Sequence, residues 1–239
     1  MSNPLLVDLP DRRELDTPPS ASWTSTERTV GRAACWVIFL LSLAYVPAML
    51  AGFLANGGFD KPIADPYLAV MELLILLMAI RLVVLFACVH TYAPANRKTL
   101  PLSAFALVTV AVGITVCVHV VLLTAGRQLD AATSPGYDML LSWEWPSVAF
   151  ALDIASWDFF LGFGLLLAAT AFTGPGLPRL VRRGLQLSGA VCLFGLVGAA
   201  TGNMGLRDIG IAGYAVILPV VLLVMARAFE ATPVAETSR

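Results

Sequence analysis

Charged residues are scarce in this sequence. Asp, Glu, Lys and Arg make up 13% of its 239 residues, whereas hydrophobic residues make up 58%. A soluble domain has about 25% charged and about 45–50% apolar residues, so the composition excludes an ordinary soluble domain. The net charge of −1 provides no basic surface for nucleic acid. These values indicate a polytopic membrane protein, and the length suffices for one helical bundle.

The sequence also lacks the motifs of common enzyme and cofactor sites. It has no P-loop, no dinucleotide-binding glycine pattern, no nucleophile elbow and no HExxH zinc motif. Its four cysteines fall in apolar runs without a CxxC pair, and we interpret them as small packing residues. The two histidines, His90 and His119, fall near opposite ends of the expected membrane layer, too far apart to ligate one haem. We therefore expect no metal and no cofactor.

Six long apolar runs account for most of the chain. A membrane-spanning helix needs about 20 apolar residues, and in lipid such a run is helical because its backbone groups must pair with one another. The runs lie at residues 33–54, 67–90, 101–125, 147–172, 184–203 and 209–229. The expected fold is all-α, with six transmembrane helices in a domain over residues 31–230. The flanking segments, 1–30 and 231–239, are expected to be tails, and the first is rich in Pro, Ser and charges of both signs, which is typical of a flexible segment.

Lys and Arg are distributed unevenly between the two sides of this bundle. Eleven of the 15 lie in segments on the side of the two termini, Arg81 lies within a run, and the opposite side holds Lys61, Arg127 and Arg207. Because positive residues favour the cytoplasmic side, both termini are predicted to be cytoplasmic. Arg outnumbers Lys and Ala is abundant, as is typical of a GC-rich bacterial genome. The expected location is a bacterial inner membrane, with the lipid bilayer as the partner.

Three ionisable residues on three different helices are predicted to lie at one depth. At a rise of 1.5 Å per residue, Glu72, His119 and Asp153 are each about 8–9 Å below the outer boundary of the membrane. A buried carboxylate without a fixed cation is a candidate for proton exchange, acid catalysis or cation binding. We therefore take these three as the candidate catalytic or binding residues. The alternative is that each is a packing residue near the interface.

Two further charges are expected deeper in the membrane. Asp158 is about 16 Å and Arg81 about 21 Å from the outer boundary. Charges at this depth face the protein interior and find partners. The sequence therefore predicts a structural ion pair between Arg81 and Asp158.

Other side chains are candidates for lining the site. Ser156 and Trp157 lie three and four positions after Asp153, on the same helix face. Tyr45 lies beside Pro47, and a proline in a helix interior favours a kink that can open a cavity. The Trp143–Trp145 segment is expected either to anchor at the headgroup level or to cover the cavity as a lid.

The fifth run carries a stripe of small residues that favours close helix packing. The stripe consists of Ser188, Cys192, Gly195, Ala199 and Gly202.

The segments "AVMELLILLMAIRLVVLF", "APANRK", "LDIASWDFFLGFGLLLAATAF" and "RRGLQLSGAVCLFGLVGAATGN" resemble a loose class of bacterial six-helix membrane proteins without assigned function. The resemblance covers residues 33–229. It implies a six-helix fold and supplies no activity. Small intramembrane terpene cyclases also use embedded carboxylic acids, but their aromatic-flanked glutamate pattern is not found around Glu72.

Three functions are compatible with these residues. The first is a protein that binds or transports a proton or a small cationic or amphiphilic ligand through an outward-facing site. The second is an intramembrane enzyme in which a buried carboxylic acid protonates a lipophilic, isoprenoid-like substrate; Trp157, Phe159 and Phe160 would line its cavity. The third is a scaffold or sensor without site chemistry. The sequence leaves the oligomeric state open.

Overall fold

The computed structural model describes residues 23–58, 63–129 and 133–234. It is 81% helical, and the described residues form no strand. Six helices are long and apolar enough to cross a membrane, which confirms the prediction of an all-helical fold with six such elements. They are α1 (Ser25–Ala55), α2 (Tyr67–Tyr92), α3 (Thr99–Leu123), α4 (Val148–Ala171), α5 (Leu177–Thr201) and α6 (Met204–Ala231).

Three of these helices begin earlier than the apolar runs indicate. Helix α1 begins at Ser25 and not near residue 33, and Trp23 just before it is fully buried. Helix α5 begins at Leu177 and not near residue 184. Helix α6 begins at Met204 and not near residue 209. Of the two expected tails, residues 1–22 and 235–239 lie outside the described residues.

Polar caps explain where three of the helices begin. The backbone N–H of Thr24 donates to the Glu27 carboxylate at 3.1 Å, which forms part of a capping box. Ser147 accepts from the backbone N–H of Phe150 at 3.1 Å and begins α4. Asn203 accepts from the backbone N–H of Leu206 at 3.0 Å and begins α6. Each cap satisfies a backbone donor that has no partner within the helix.

The six helices form a closed ring in chain order. Each helix packs against the next one, and the second half of α6, Leu218–Ala231, packs against α1. Successive helices run in opposite directions, so both ends of the described chain lie at the same end of the ring. We call this the terminal end, and the other the site end.

An aromatic cluster fills the terminal end. Trp23, Tyr92, Phe172 and Phe229 are all buried, and their ring centroids lie 5.0–5.2 Å apart in four pairs. An ion pair of 3.0 Å between Arg32 and Glu230 joins α1 to α6 nearby. Rings of this size bury large apolar areas, so this cluster holds α1, α2, α4 and α6 together.

Small residues allow α5 and α6 to approach closely. A Cβ atom on Gly195 would lie 2.8 Å from the Cα of Gly210, and one on Gly198 would clash with the backbone nitrogen of Arg207. Ser188, Cys192 and Gly195 of the predicted stripe are buried in this packing face. The stripe continues through Gly198, because Ala199 is only partly buried and Gly202 is exposed at the end of the helix.

Three of the helices contain π-helical turns. These are Leu122–Gly126 at the end of α3, Ala155–Leu161 within α4 and Gly213–Ile217 within α6. In α6 the turn ends two residues before Pro219, whose missing N–H and bulky ring disfavour regular helix at that point. Such turns occur frequently at functional sites because they redirect side chains.

Candidate functional site

Glu72, His119 and Asp153 meet in the interior of the site end. The Nδ1 atom of His119 is in hydrogen-bond contact with Oε2 of Glu72. Its Nε2 atom lies 3.4 Å from Oδ1 of Asp153. The side chain of His119 is 2% exposed, and those of Glu72 and Asp153 are 4% and 14% exposed. The imidazole ring therefore lies between two carboxyl groups, and Asp153 is the most accessible member.

The helix starts explain why these residues share a level. Glu72 comes five residues after the start of α2, and Asp153 comes six residues after the Ser147 cap of α4. At 1.5 Å per residue both lie about 8–9 Å into the bundle. His119 lies near the end of α3, which runs in the opposite direction. The three positions therefore coincide in depth.

The arrangement does not suit a metal ion. The two carboxyl groups contact different nitrogens of the same imidazole ring, so His119 separates them and no shared point is left for an ion. Among the described residues, no group of three or more His, Cys, Asp or Glu side chains has an arrangement that could hold a metal.

Aromatic side chains surround this cluster. The Trp143 ring centroid lies 5.5 Å from that of His119, so the segment before α4 covers the site. Tyr45 of α1 is partly buried and lies within electrostatic range of Asp153 and Glu72. Its role in lining the site stays a prediction.

Arg207 is the cation that balances Asp158. Its Nε atom lies 3.6 Å from Oδ2 of Asp158, and the two side chains are 3% and 0% exposed. Its Nη2 atom donates to the Tyr214 hydroxyl at 3.4 Å, and its guanidinium lies 5.2 Å from the centre of the Phe150 ring. Asp208, which is 65% exposed, lies 4.0 Å from Nη1.

The predicted pair of Arg81 and Asp158 is therefore wrong. Arg81 is exposed on the outer surface of α2, whereas Asp158 is fully buried. Depth alone predicts the pair, but Arg81 is exposed on the outside of the bundle. The sequence predicts that α6 begins near residue 209, which places Arg207 in the preceding loop. The signal that could have identified it is Asn203, a favourable N-cap four residues before it.

The other candidate lining residues lie deeper. Ser156 donates to the backbone carbonyl of Ala111 at 2.9 Å, and its hydroxyl is 2.5 Å from that of Thr115. It therefore ties α4 to α3 and does not contact the carboxyl cluster. Trp157 packs on Tyr214 with ring centroids 5.2 Å apart. Ser156 and Trp157 lie in the π-helical turn of α4, and Tyr214 lies in that of α6.

Comparison of this chain with models of protein families, with curated proteins and with solved structures gives no match. The class of protein therefore follows from the fold alone. Six apolar helices, each long enough to cross a bilayer, indicate a multi-pass membrane protein. Within it, five ionisable side chains are gathered at one end of the ring: Glu72, His119, Asp153, Asp158 and Arg207.

Proposed function

We propose that this protein binds a proton or a small cationic ligand at the Glu72–His119–Asp153 site. The site is reached from the end of the bundle opposite the termini. The membrane is the bacterial inner membrane, the termini are cytoplasmic, and the site faces outward. The positive-inside distribution of Lys and Arg supports this orientation.

The charge balance of the buried residues carries the proposal. Three carboxyl groups, those of Glu72, Asp153 and Asp158, face two basic side chains, those of His119 and Arg207. With His119 protonated, the cluster still contains one acid in excess. An uncompensated charge is costly in a low-dielectric interior. Either an additional proton or an external cation would neutralise the excess negative charge.

The apolar interior toward the terminal end favours binding of the ligand over its passage through the membrane. Below the site, the described interior is lined by apolar side chains such as Leu82, Val108, Leu161 and Leu165, and the aromatic cluster fills the terminal end. An ion that crosses the protein needs a polar path. A ligand that only binds needs access from the site end alone.

The enzyme hypothesis receives less support from the geometry. Phe159 is 42% exposed and packs against Phe160 and Phe163, on the outer face of α4. Of the three aromatic residues expected to line a cavity beside an acid, Trp157 packs on Tyr214 in the interior and Phe159 faces outward. These side chains do not form a common substrate pocket.

Thermal unfolding of the purified protein between pH 5 and 9 tests the proposal. We expect the unfolding temperature of the wild type to vary with pH, because the buried cluster of Glu72, His119, Asp153 and Asp158 contains one acid in excess. Arg207, Tyr45 and Tyr214 are the other ionisable groups beside it. Asp153→Asn should melt at a higher temperature and with less pH dependence, because it removes the excess acid and functional sites are often held at a cost in stability. Glu72→Gln should show the same trend to a smaller extent, because it also weakens the contact with His119.

Asp138→Asn is the control, because Asp138 is an exposed carboxylate outside the six helices. It should leave the unfolding profile unchanged. If both site variants melt lower than the wild type at every pH, the carboxyl groups hold the bundle together, and the binding proposal is wrong.

A further inference from the structure

Helix α1 is the most exposed of the six helices. Only 11% of its most apolar window is buried, against 33–44% in the other helices. Its buried residues lie at its two ends, up to Ile38 and again at Gly52. No residue from 39 to 51, a stretch that includes Tyr45, is buried. These turns of α1 therefore lie at the periphery of the bundle.

Helix α6 separates from α1 over the same half of the bundle. It packs against α1 through Leu218–Ala231, whereas its first segment, Met204–Ala212, packs mainly against α5. The change falls at the π-helical turn Gly213–Ile217 and Pro219. A proline and an irregular turn are recognised causes of a change in helix direction. The site end is therefore least closed between α1 and α6, on a side that faces the bilayer.

The buried acids lie behind this lateral opening. Tyr45 of α1 is partly buried and lies within electrostatic range of Asp153 and Glu72. The Nε2 atom of His119 and Oδ1 of Asp153 are buried and lie 3.4 Å apart, and neither makes a hydrogen bond among the described residues. Tyr214, on the α6 side, holds Arg207 by a hydrogen bond. The opening thus leads from lipid to a carboxyl group with unused acceptor capacity.

We propose that the ligand is a single-chain lipophilic amine that enters from the bilayer between α1 and α6. Its ammonium group binds Asp153, and its alkyl chain lies along α1 between residues 39 and 51. The inference rests on the proposed function and names the ligand class of the same site.

Three properties of the site favour an amine over other amphiphiles. The excess acid attracts a cation, and an ammonium group supplies three hydrogen-bond donors for carboxyl oxygens. The rings of Tyr45 and Trp143 provide faces of the kind that attract cations. A fatty acid would add a fourth carboxylate to three. A neutral alcohol would leave the charge unbalanced.

Binding is measured with protein in phosphatidylcholine nanodiscs, with empty nanodiscs as the background. The probe is dodecylamine, compared with ethylamine, which lacks the chain, and dodecanol, which lacks the charge. We expect dodecylamine to raise the unfolding temperature at pH 7 and the other two to leave it unchanged. Asp153→Asn should weaken dodecylamine binding at least about tenfold, since loss of one charged hydrogen bond is of this size.

The route is tested with a dodecylamine that carries a photoactivatable diazirine in its chain. We expect the label on α1 between residues 39 and 51 and on the first half of α6. Ala48→Trp should reduce labelling, because Ala48 is one turn after Tyr45 on the same helix face. Ala33→Trp, on the same helix near the terminal end, is the matched control and should not. Both variants should keep the pH profile of unfolding of the wild type.

The outcomes separate the two proposals. If dodecylamine does not bind but unfolding keeps its dependence on Asp153 and pH, the ligand class is wrong and the proton site stands. If it binds and labels the Trp143–Trp145 segment instead of α1 and α6, the lateral route is wrong. If neither binding nor the pH dependence is found, both proposals fail.

Discussion

At the scale of single residues, Arg207 shows how one helical turn decides the charge balance of a buried site. The Asn203 cap begins α6 early enough for Arg207 to lie on the inner face of the helix. Asp158 on α4 then has its cation, and the two are enclosed together. A start five residues later, near residue 209, would leave Arg207 in a connecting loop and Asp158 without a charged partner.

The two arginines of the membrane region should respond differently to the same substitution. We expect Arg207→Gln to lower the free energy of unfolding by about 3–5 kcal/mol, because it leaves Asp158 as an unpaired buried charge. Arg81→Gln should change it by less than about 1 kcal/mol, because Arg81 is exposed. The measurement is an SDS titration of the protein in a mild detergent, followed by circular dichroism.

The double variant Arg207→Gln with Asp158→Asn provides the control. It removes both charges, so it should recover a substantial part of the lost stability. Equal losses for Arg207→Gln and Arg81→Gln would show that Asp158 does not depend on Arg207.

The sequence predicts the depth of these residues better than their direction. Depth depends only on the rise per residue, so Glu72, His119 and Asp153 could be assigned to one level before any contact was known. Direction depends on which helix faces interact. The apolar pattern of α2 is nearly uniform around the helix, and it does not reveal that Glu72 points inward and Arg81 outward.

At the scale of helices, the contact between α5 and α6 depends on glycine. The backbone of α6 passes so close to Gly195 and Gly198 that a side chain at either position has no space. Such contacts are common between membrane helices, where small residues let backbones approach. The same approach brings Asp158 into the groove between Gly195 and Gly210.

We expect Gly198→Ala to destabilise the protein by about 1–3 kcal/mol, because its Cβ would meet the backbone of Arg207 and the helices would have to move apart. Gly113→Ala is the matched control, because a Cβ there has no neighbour within 4 Å. It should be neutral or slightly stabilising. The free energies are compared by the same SDS titration, and an equal effect of both variants would contradict close packing at Gly198.

The π-helical turns could not be predicted from the sequence. An apolar run indicates that a segment is helical, but it does not distinguish a regular turn from one with an additional residue. The turn in α6 is explained by Pro219, two residues after its end. The turn in α4 has no proline within it, and its Trp157 packs against Tyr214 of the turn in α6.

At the scale of the whole molecule, the interior of the ring is polar at one end and apolar at the other. The charged cluster lies near the loops of the site end, and the exposed ion pair of Arg127 and Asp65 joins two of these loops. The terminal end is closed by aromatic rings. This asymmetry is expected for a protein whose site opens to one side of the membrane.

The orientation of the ring can be tested with single cysteines in a background without the native ones. We expect Asp138→Cys to react with a membrane-impermeant maleimide in intact spheroplasts, because this exposed position belongs to the site end. Arg179→Cys, exposed at the terminal end, should react only after the membrane is permeabilised. The reverse pattern would contradict the predicted orientation.

The number and order of the helices were predictable because hydropathy over some 20 residues is a strong signal. Their closure into a ring was not, because the second half of α6 packs against α1, far away in sequence. The candidate site was predictable only in part, because depth along a helix follows from the sequence and contacts between distant segments do not. Its three central residues share a level, whereas its cation, Arg207, depends on the start of α6.

The distance along the chain between Asp158 and Arg207 has a consequence for biosynthesis. Arg207 is added 49 residues after Asp158, which takes about 2–10 s at typical translation rates. During this interval α4 leaves the ribosome with a carboxyl group whose partner does not yet exist. Because only two residues separate α5 from α6, these helices must enter the membrane as a hairpin that delivers Arg207. Helix α4 therefore has to be retained at the insertion machinery, or remain near the aqueous boundary, until that hairpin arrives.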